Sequence, residues 1–176
     1  MAPTHPENNQ PAVETSVDYS ASSIDAVTAG PEQSREIGER LGRTAVPGNI
    51  ICLIGDLGTG KTTLTQGIGR GLDIPESEVS SPTFMLISEH RSGRIPLYHF
   101  DVYRLSGPDD LHGLGFEDYV TRPDGLIVIE WADIVLDALP SDRLDVYLTA
   151  SDTIEERLLR VTATGPESAH LLKAFL

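Results

Sequence analysis

The sequence contains very little cysteine and very little lysine, and it has no long apolar run. Cys52 is the single cysteine of 176 residues, which excludes a disulfide within the chain and a metal site built from several cysteines. Lysine occurs only as Lys61 and Lys173, and acidic residues outnumber Lys plus Arg by 27 to 13, for a formal net charge of −14. Because phosphate backbones are bound by clustered Lys and Arg, this balance argues against a DNA- or RNA-binding surface. No apolar stretch approaches the length of a membrane span, so we expect no membrane partner.

The rest of the composition is that of a globular protein. Hydrophobic residues make up 39% and charged residues 23% of a length that suits one domain. Residues 1–21 differ from the remainder, since they contain three prolines and no Lys or Arg and cannot bury enough apolar surface to offset the entropy of ordering. We therefore expect a disordered N-terminal tail over residues 1–21 and one folded domain over residues 22–176, in a soluble, cytoplasmic protein.

Short apolar runs alternate with helical patterns along the chain. Residues 49–54, which are apolar from Ile50 onward, and residues 126–129 are rich in β-branched side chains, which is typical of central parallel strands buried on both faces. Residues 84–89 and 95–100 flank a glycine-containing turn and predict a β-hairpin. The pattern predicts an α/β fold whose central sheet is mostly parallel with an antiparallel portion. Further strands are expected over 24–27, 144–148 and 158–162, and helices from Pro31, after Gly60, over 108–114 and over 169–175.

A glycine-rich motif follows the first of these apolar runs. Residues 55–62, Gly-Asp-Leu-Gly-Thr-Gly-Lys-Thr, match the pattern G-x-x-x-x-G-K-[ST] throughout. Glycine allows successive backbone N–H groups to turn toward phosphate oxygens, Lys61 can reach the β- and γ-phosphates, and the Thr62 hydroxyl can ligate Mg²⁺. The motif lies between a predicted strand and a predicted helix, as its mechanism requires. We therefore predict that residues 22–176 form a three-layer domain of the P-loop NTPase type that binds a nucleoside triphosphate.

Acidic residues at the ends of two predicted strands are candidates for the second half of this site. Glu130 directly follows residues 126–129 and is the predicted metal ligand, with an ordinary strand-end acid as the alternative. Asp101 closes another predicted strand, where it either holds a Mg²⁺-bound water, orients the attacking water or only initiates a turn. The polar segment 80–83 is either a plain loop or a switch loop that senses the γ-phosphate.

Aromatic and histidine side chains give weaker signals. Trp131 follows Glu130 directly and fits either the core or the nucleotide site. Tyr98, Phe100 and Tyr103 fit a sheet and core better than a surface that stacks bases. The five histidines show no metal-ligand spacing, so we assign them no ligand role.

Four segments, in this order, resemble a known family. They are the phosphate motif extended to Thr63, Ser-Pro-Thr-Phe at 81–84, His-Phe-Asp-Val-Tyr-Arg-Leu at 99–105, and Ile-Glu-Trp at 129–131. The chain is similar to the TsaE family, also called YjeE, of P-loop ATPases in bacterial tRNA threonylcarbamoyladenosine biosynthesis. The phosphate motif is shared with a vast superfamily, whereas the block around Asp101 and the Glu-Trp pair are far more specific. The resemblance covers about residues 24–165.

The resemblance implies an ATPase that uses ATP and Mg²⁺ to support threonylcarbamoyl transfer by two partner proteins, TsaB and TsaD. Those partners modify the adenosine beside the tRNA anticodon, so we expect tRNA to meet this acidic chain only through the complex. By position, Asp101 would serve hydrolysis with Lys61 and Glu130, and Thr62 and Glu130 would hold Mg²⁺. Contacts to the nucleotide are carried over to Gly58, Thr59, Gly60, Lys61, Thr62, Thr63 and Trp131.

Two other functions remain open from the sequence. A small P-loop kinase would need an acceptor pocket and a mobile lid with several arginines, whereas Arg91, Arg94, Arg104 and Arg122 are scattered and no long lid segment is evident. A nucleotide-dependent assembly module without hydrolysis would suit the polar segment 80–83. Because no arginine is evidently aimed at the γ-phosphate, we expect hydrolysis by the chain alone to be slow and to be stimulated by its partners.

Overall fold

Seven strands form one mixed sheet in the structure, a computed structural model that describes residues 23–173; the predicted tail over residues 1–21 lies outside the described residues. The strands are β1 (Ser23–Thr28), β2 (Ile50–Ile54), β3 (Ile87–His90), β4 (Leu97–Asp101), β5 (Leu126–Glu130), β6 (Leu144–Ala150) and β7 (Arg157–Ala163). Their order is β1-β7-β6-β2-β5-β4-β3. The four central strands β6, β2, β5 and β4 are parallel, and β1, β7 and β3 pair antiparallel with their neighbours. The prediction of a mostly parallel centre with an antiparallel portion is confirmed.

Helices cover both faces of the sheet and give the predicted three layers. Leu41 and Leu64 belong to the core on one face, and Leu111 and Phe116 belong to the core on the other. None of the helices within residues 23–173 is long and apolar enough to cross a membrane. The helices are α1 (Pro31–Thr44), α2 (Lys61–Gly71), α3 (Pro108–Gly113), α4 (Phe116–Thr121) and α5 (Pro166–Lys173).

Strand β2 is apolar at every position because both of its faces are covered. In β2, Ile51 and Leu53 join the core beneath α1 and α2, while Ile50 and Cys52 join the core on the opposite face. Side chains alternate between faces along a strand, so a strand with two cores shows a continuous apolar run.

Two local predictions differ from the structure. Residues 84–86 are in a turn rather than in the predicted hairpin strand, which begins only at Ile87. Leu86 has a φ of +64°, a left-handed conformation that a strand does not contain, and Phe84 is 86% exposed. Helix α4 was not predicted, because six residues are too few to show a clear helical period.

Glycines set the distance between α1 and α2, and α2 begins with the lysine of the phosphate motif. A Cβ placed on Gly42 would lie 2.1 Å from the Ile68 carbonyl oxygen, and one on Gly71 would lie 2.2 Å from the Glu39 carbonyl oxygen. A Cβ on Gly38 or on Gly67 would likewise collide with the backbone of the facing helix. The two backbones are therefore in direct contact, which fixes α2 against α1.

Several chain segments meet at one edge of the sheet. The parallel strands β2, β4, β5 and β6 all end there, and this edge is where ligands bind in open α/β sheets. Ala150 and Thr28 both align with Arg157, so the β6–β7 loop and the end of β1 lie at the same edge. The topology thus brings residues 29–30, 55–60 and 151–156 together with the ends of β4 and β5.

Candidate nucleotide-binding site

The phosphate motif forms the turn between β2 and α2 at this edge. Gly58 and Gly60 have φ values of +79° and +97°, in the left-handed region that favours glycine. A Cβ on Gly55 would lie 2.4 Å from the Leu148 carbonyl oxygen, so a side chain there would collide with β6. The Thr59 side chain turns into the loop, where its hydroxyl donates to the Asp56 carbonyl at 2.8 Å. Thr59 can therefore contact a ligand only through its backbone.

Lys61 is buried at the start of α2 and its ammonium group lies over the loop. Nζ donates to the carbonyl oxygens of Gly55 at 2.5 Å and Asp56 at 2.8 Å, and it lies 3.8 Å from the centre of the Trp131 ring. Burial lowers the pKa of Lys61 below its ordinary value, while the negative charges of Glu130 and Asp101 act in the opposite direction.

Glu130 is the last residue of β5, and its carboxylate is buried between β2 and β4. Its Oε2 accepts a hydrogen bond from the Thr62 hydroxyl at 3.0 Å. Its Oε1 lies 2.8 Å from His99 Nε2 and accepts from the Thr65 hydroxyl at 3.3 Å. Threonine hydroxyl and carboxylate oxygens are ligands that Mg²⁺ accepts, so Thr62 and Glu130 form a fitting pair of metal ligands.

Asp101 ends β4 directly beside Glu130, because the two residues are paired in the β4–β5 register. Its Oδ2 accepts hydrogen bonds from the hydroxyls of Ser81 at 2.6 Å and Thr83 at 2.9 Å, and its Oδ1 accepts from the Tyr103 N–H at 3.1 Å. The polar segment 80–83 is thus joined to the acidic end of the site by the side chains of Ser81 and Thr83.

Trp131 follows β5 with a φ of +63°. This conformation places its ring beside Lys61 and 4.8 Å from the Tyr103 ring, rather than wholly in the core. Loop and strand ends together enclose a cleft of about 500 Å³. The predicted residues that line it are Gly58, Gly60, Lys61, Thr62, Thr63, Asp101, Glu130 and Trp131.

The sequence did not reveal three partners of the acidic residues. These partners are His99 and the Thr65 hydroxyl, which contact Glu130, and the Ser81 hydroxyl, which contacts Asp101. His99 is fully buried and contacts Glu130 directly, although no histidine was assigned a role. A search for metal-ligand spacing cannot find a lone histidine that acts through another residue. The available signal was a polar residue inside the otherwise apolar strand β4.

The comparisons with known proteins extend over the same residues. The model of the family described as "Threonylcarbamoyl adenosine biosynthesis protein TsaE" matches residues 28–159, which include the whole phosphate motif, Asp101, Glu130 and Trp131. The chain belongs to the TsaE family. Its place in tRNA threonylcarbamoyladenosine biosynthesis follows from that membership.

TsaE relatives from distant bacteria match most of the chain. The Bacillus subtilis protein is 39% identical over 138 residues, which are 78% of this chain and 84% of the relative. A Nostoc protein is 46% identical over 127 residues, covering 70% of this chain and 76% of its own length. A crystal structure of Bacillus subtilis YdiB superposes with a TM-score of 0.75 at 32% identity, covering 88% of this chain and 95% of that one. The fold expected of a TsaE protein is thereby confirmed.

Proposed function

We propose that this chain is a Mg²⁺-dependent ATP hydrolase that supports threonylcarbamoyl transfer by the partner proteins TsaB and TsaD. One observation carries the proposal: Lys61 and Thr62 of the phosphate loop converge with Glu130 and Asp101 in a single cleft. The TsaE relatives are tRNA threonylcarbamoyladenosine biosynthesis proteins by name, which supports the same pathway for this chain.

Each group in the cleft has a definite task in this proposal. The loop N–H groups and Lys61 bind the phosphates of ATP, and Thr62 and Glu130 hold Mg²⁺. A Mg²⁺ ion held by these residues would supply positive charge that offsets the charge developing on the phosphates during transfer. Within residues 23–173 no group of three or more His, Cys, Asp or Glu side chains could hold a metal ion, so Thr62 and Glu130 would hold it together with oxygen ligands from outside the protein.

Asp101 is placed to orient the attacking water. Because Ser81, Thr83 and the Tyr103 N–H fix both of its oxygens, the carboxylate keeps one orientation and can accept a hydrogen bond from a water at the γ-phosphate. The water oxygen bonds to the γ-phosphorus while the bond from that phosphorus to the bridging oxygen breaks and its electron pair leaves with ADP. The water gives up one proton, which Asp101 accepts and passes to the phosphate product, and ADP and phosphate then leave. Positioning of this kind is the main contribution of a protein to phosphoryl transfer.

The cleft has no arginine among the described residues that line it. An arginine at the γ-phosphate contributes roughly 10³–10⁵ in rate, so the isolated chain should turn over slowly. Several exposed apolar side chains lie near the cleft, namely Leu57, Phe84, Met85 and Tyr103. Phe84 directly follows Thr83, whose hydroxyl is hydrogen-bonded to Asp101. This surface suits a protein partner whose binding depends on the nucleotide.

Capture and turnover with the candidate partners test the proposal. We expect immobilised TsaB and TsaD to retain the chain better with ATP than with ADP. We also expect these partners to raise its ATP turnover more than tenfold, because an arginine that a partner places at the γ-phosphate would increase the rate by far more than tenfold. Phe84→Ser should weaken capture, whereas Leu158→Ser, which changes an exposed leucine on β7, should leave it unchanged. Equal capture and turnover under all conditions would contradict a site completed by partners. Transfer of phosphate to an acceptor in excess of release to water would instead favour the kinase.

A separate prediction concerns His99, which positions Glu130. His99→Ala should raise the Mg²⁺ concentration needed for half-maximal turnover by about 10–100-fold, the usual cost of removing a partner of a metal ligand. His99→Gln can donate an amide N–H to the same oxygen and should recover most of the loss. His112→Ala, at an exposed histidine of α3, is the control. An unchanged Mg²⁺ requirement in His99→Ala would remove this histidine from the metal site.

A further inference from the structure

One arginine lies just outside the cleft, next to two residues that line it. Thr83 and Tyr103 line the cleft, and the residues that follow them, Phe84 and Arg104, contact each other at its rim. The guanidinium carbon of Arg104 is 4.8 Å from the centre of the Phe84 ring, a distance at which an aromatic face attracts a cation. Asp101 anchors both turns, because its oxygens accept hydrogen bonds from the Thr83 hydroxyl and the Tyr103 N–H. The pair is therefore held beside the acid that orients the attacking water in the proposed reaction.

The Phe84 ring is a weak and accessible hold on this guanidinium. Within residues 23–173 no acidic side chain forms an ion pair with Arg104. By contrast, Arg94 donates to carbonyl oxygens at the end of α1, and Arg157 donates to carbonyl oxygens of the β6–β7 loop. Arg104 is exposed and the Phe84 ring is 86% exposed. An exposed contact between a cation and a ring corresponds to only about two- to fivefold in an equilibrium constant, so the guanidinium can leave at little cost.

The cleft lacks positive charge where the proposed reaction needs it. Lys61 is the one cationic side chain that lines the cleft among the described residues, whereas the carboxylates of Asp101 and Glu130 are buried there. During hydrolysis negative charge spreads over the oxygens of the transferred phosphoryl group, and a planar guanidinium can bind two such oxygens at once. An arginine in this position only donates N–H groups to those oxygens, so it forms no covalent bond and transfers no proton.

We propose that Arg104 is the arginine that completes this site. In the isolated chain the Phe84 ring holds the guanidinium outside the cleft, and a partner that covers the ring releases it to turn past Tyr103 toward the γ-phosphate. Binding of the partner and completion of the site are then one event, because the side chain that the partner covers is the one that holds the arginine. The inference rests on the proposed function and identifies, within this chain, the charge that the partners bring to the γ-phosphate.

Substitutions at residue 84 test the contact in the isolated chain. Phe84→Leu removes the ring but keeps an apolar side chain, so Arg104 should enter the cleft more often and ATP turnover should rise about two- to fivefold. Phe84→Tyr keeps a ring face and should show less of this rise. Leu158→Ser, which changes an exposed leucine on β7, is the control for the loss of an exposed apolar side chain and should leave turnover unchanged.

A second substitution shows whether the rise comes from Arg104. In combination with Arg104→Ala, Phe84→Leu should no longer raise turnover, because the released side chain is absent. In combination with Arg122→Ala, which removes an exposed arginine at the end of α4, Phe84→Leu should keep its effect. Steady-state rates of phosphate release from the four chains measure this coupling.

Arg104→Ala also tests the arginine in the complex with the partners. Turnover in the complex should fall at least about tenfold, while capture by the immobilised partners with ATP should stay within about twofold. Arg104→Lys restores the charge without the planar fork and should recover only a small part of the rate. Binding gives a readout independent of turnover: Mg²⁺–ADP with aluminium fluoride, which mimics the transferred phosphoryl group, should bind the wild-type complex at least about tenfold more tightly than the Arg104→Ala complex. Mg²⁺–ADP alone should bind both complexes equally.

The outcomes separate this inference from the function on which it rests. If Phe84→Leu leaves the turnover of the isolated chain unchanged, or raises it equally without Arg104, the ring does not hold Arg104 back. If Arg104→Ala leaves stimulation intact, or reduces capture and turnover together, Arg104 is not a catalytic residue. In each of these cases the wild-type chain still hydrolyses ATP and the proposed function stands. If the wild-type chain hydrolyses no ATP with or without its partners, the proposed function fails and this inference fails with it.

Discussion

Lys61→Ala should abolish ATP turnover, with a fall of at least about 10³-fold in kcat/KM and a marked loss of triphosphate affinity. Lys61 is the one cationic side chain that lines the cleft among the described residues, and the buried carboxylates of Glu130 and Asp101 lie nearby. Its removal leaves the loop dipoles alone to offset the charge of both the acids and the phosphates. Steady-state kinetics and titration with Mg²⁺–ATP measure the two effects.

The chain provides its own control, since Lys173 is the only other lysine and lies exposed at the end of α5. Lys173→Ala makes the same chemical change far from the loop and should leave turnover unchanged. Should Lys61→Ala retain more than about a tenth of wild-type turnover, Lys61 would have no role at the transferred phosphate.

Gly42→Ala should destabilise the protein by about 3 kcal/mol and lower Tm by roughly 6–12 °C. The new methyl group would lie 2.1 Å from the Ile68 carbonyl oxygen, so α1 and α2 must separate to admit it. Backbone atoms cannot change rotamer to relieve such a contact, which is why the cost exceeds that of most added methyl groups. Because α2 begins at Lys61, the displacement should also weaken triphosphate binding.

Gly113→Ala is the matched control for the helix contact. Gly113 lies in α3, and a Cβ there would meet no atom within 4 Å. Alanine favours a helix over glycine by roughly 0.5–1 kcal/mol, so this variant should be at least as stable as the wild type. If both glycine variants unfold at the wild-type temperature, α1 and α2 are not in backbone contact.

The sequence predicted the features that depend on short stretches of chain. The phosphate loop followed from eight consecutive residues, and the central strands followed from apolar runs that two cores require. Glu130 and Asp101 were found as candidates because each ends such a run, and parallel strands end at one edge of the sheet.

Features that depend on pairing between distant strands could not be predicted. His99 meets Glu130 only because of the β4–β5 register, and Ser81 meets Asp101 across twenty residues. The predicted hairpin forms between β3 and β4, but its first strand begins at Ile87 rather than at residue 84. Phe-Met-Leu at residues 84–86 has strand propensity, whereas the left-handed conformation of Leu86 and the hydrogen bond from Thr83 to Asp101 keep these residues out of the strand.

The pairing of β1 with β7 also constrains the order in which the domain can be completed. β1 spans Ser23–Thr28 and is synthesised long before its strand partner, which spans Arg157–Ala163. The contact between α1 and α2 needs only residues 31–71, so these helices can meet before β7 is made. A nascent chain that lacks β7 can therefore possess its phosphate loop but not its full sheet, because β1 has no strand partner until β7 is synthesised.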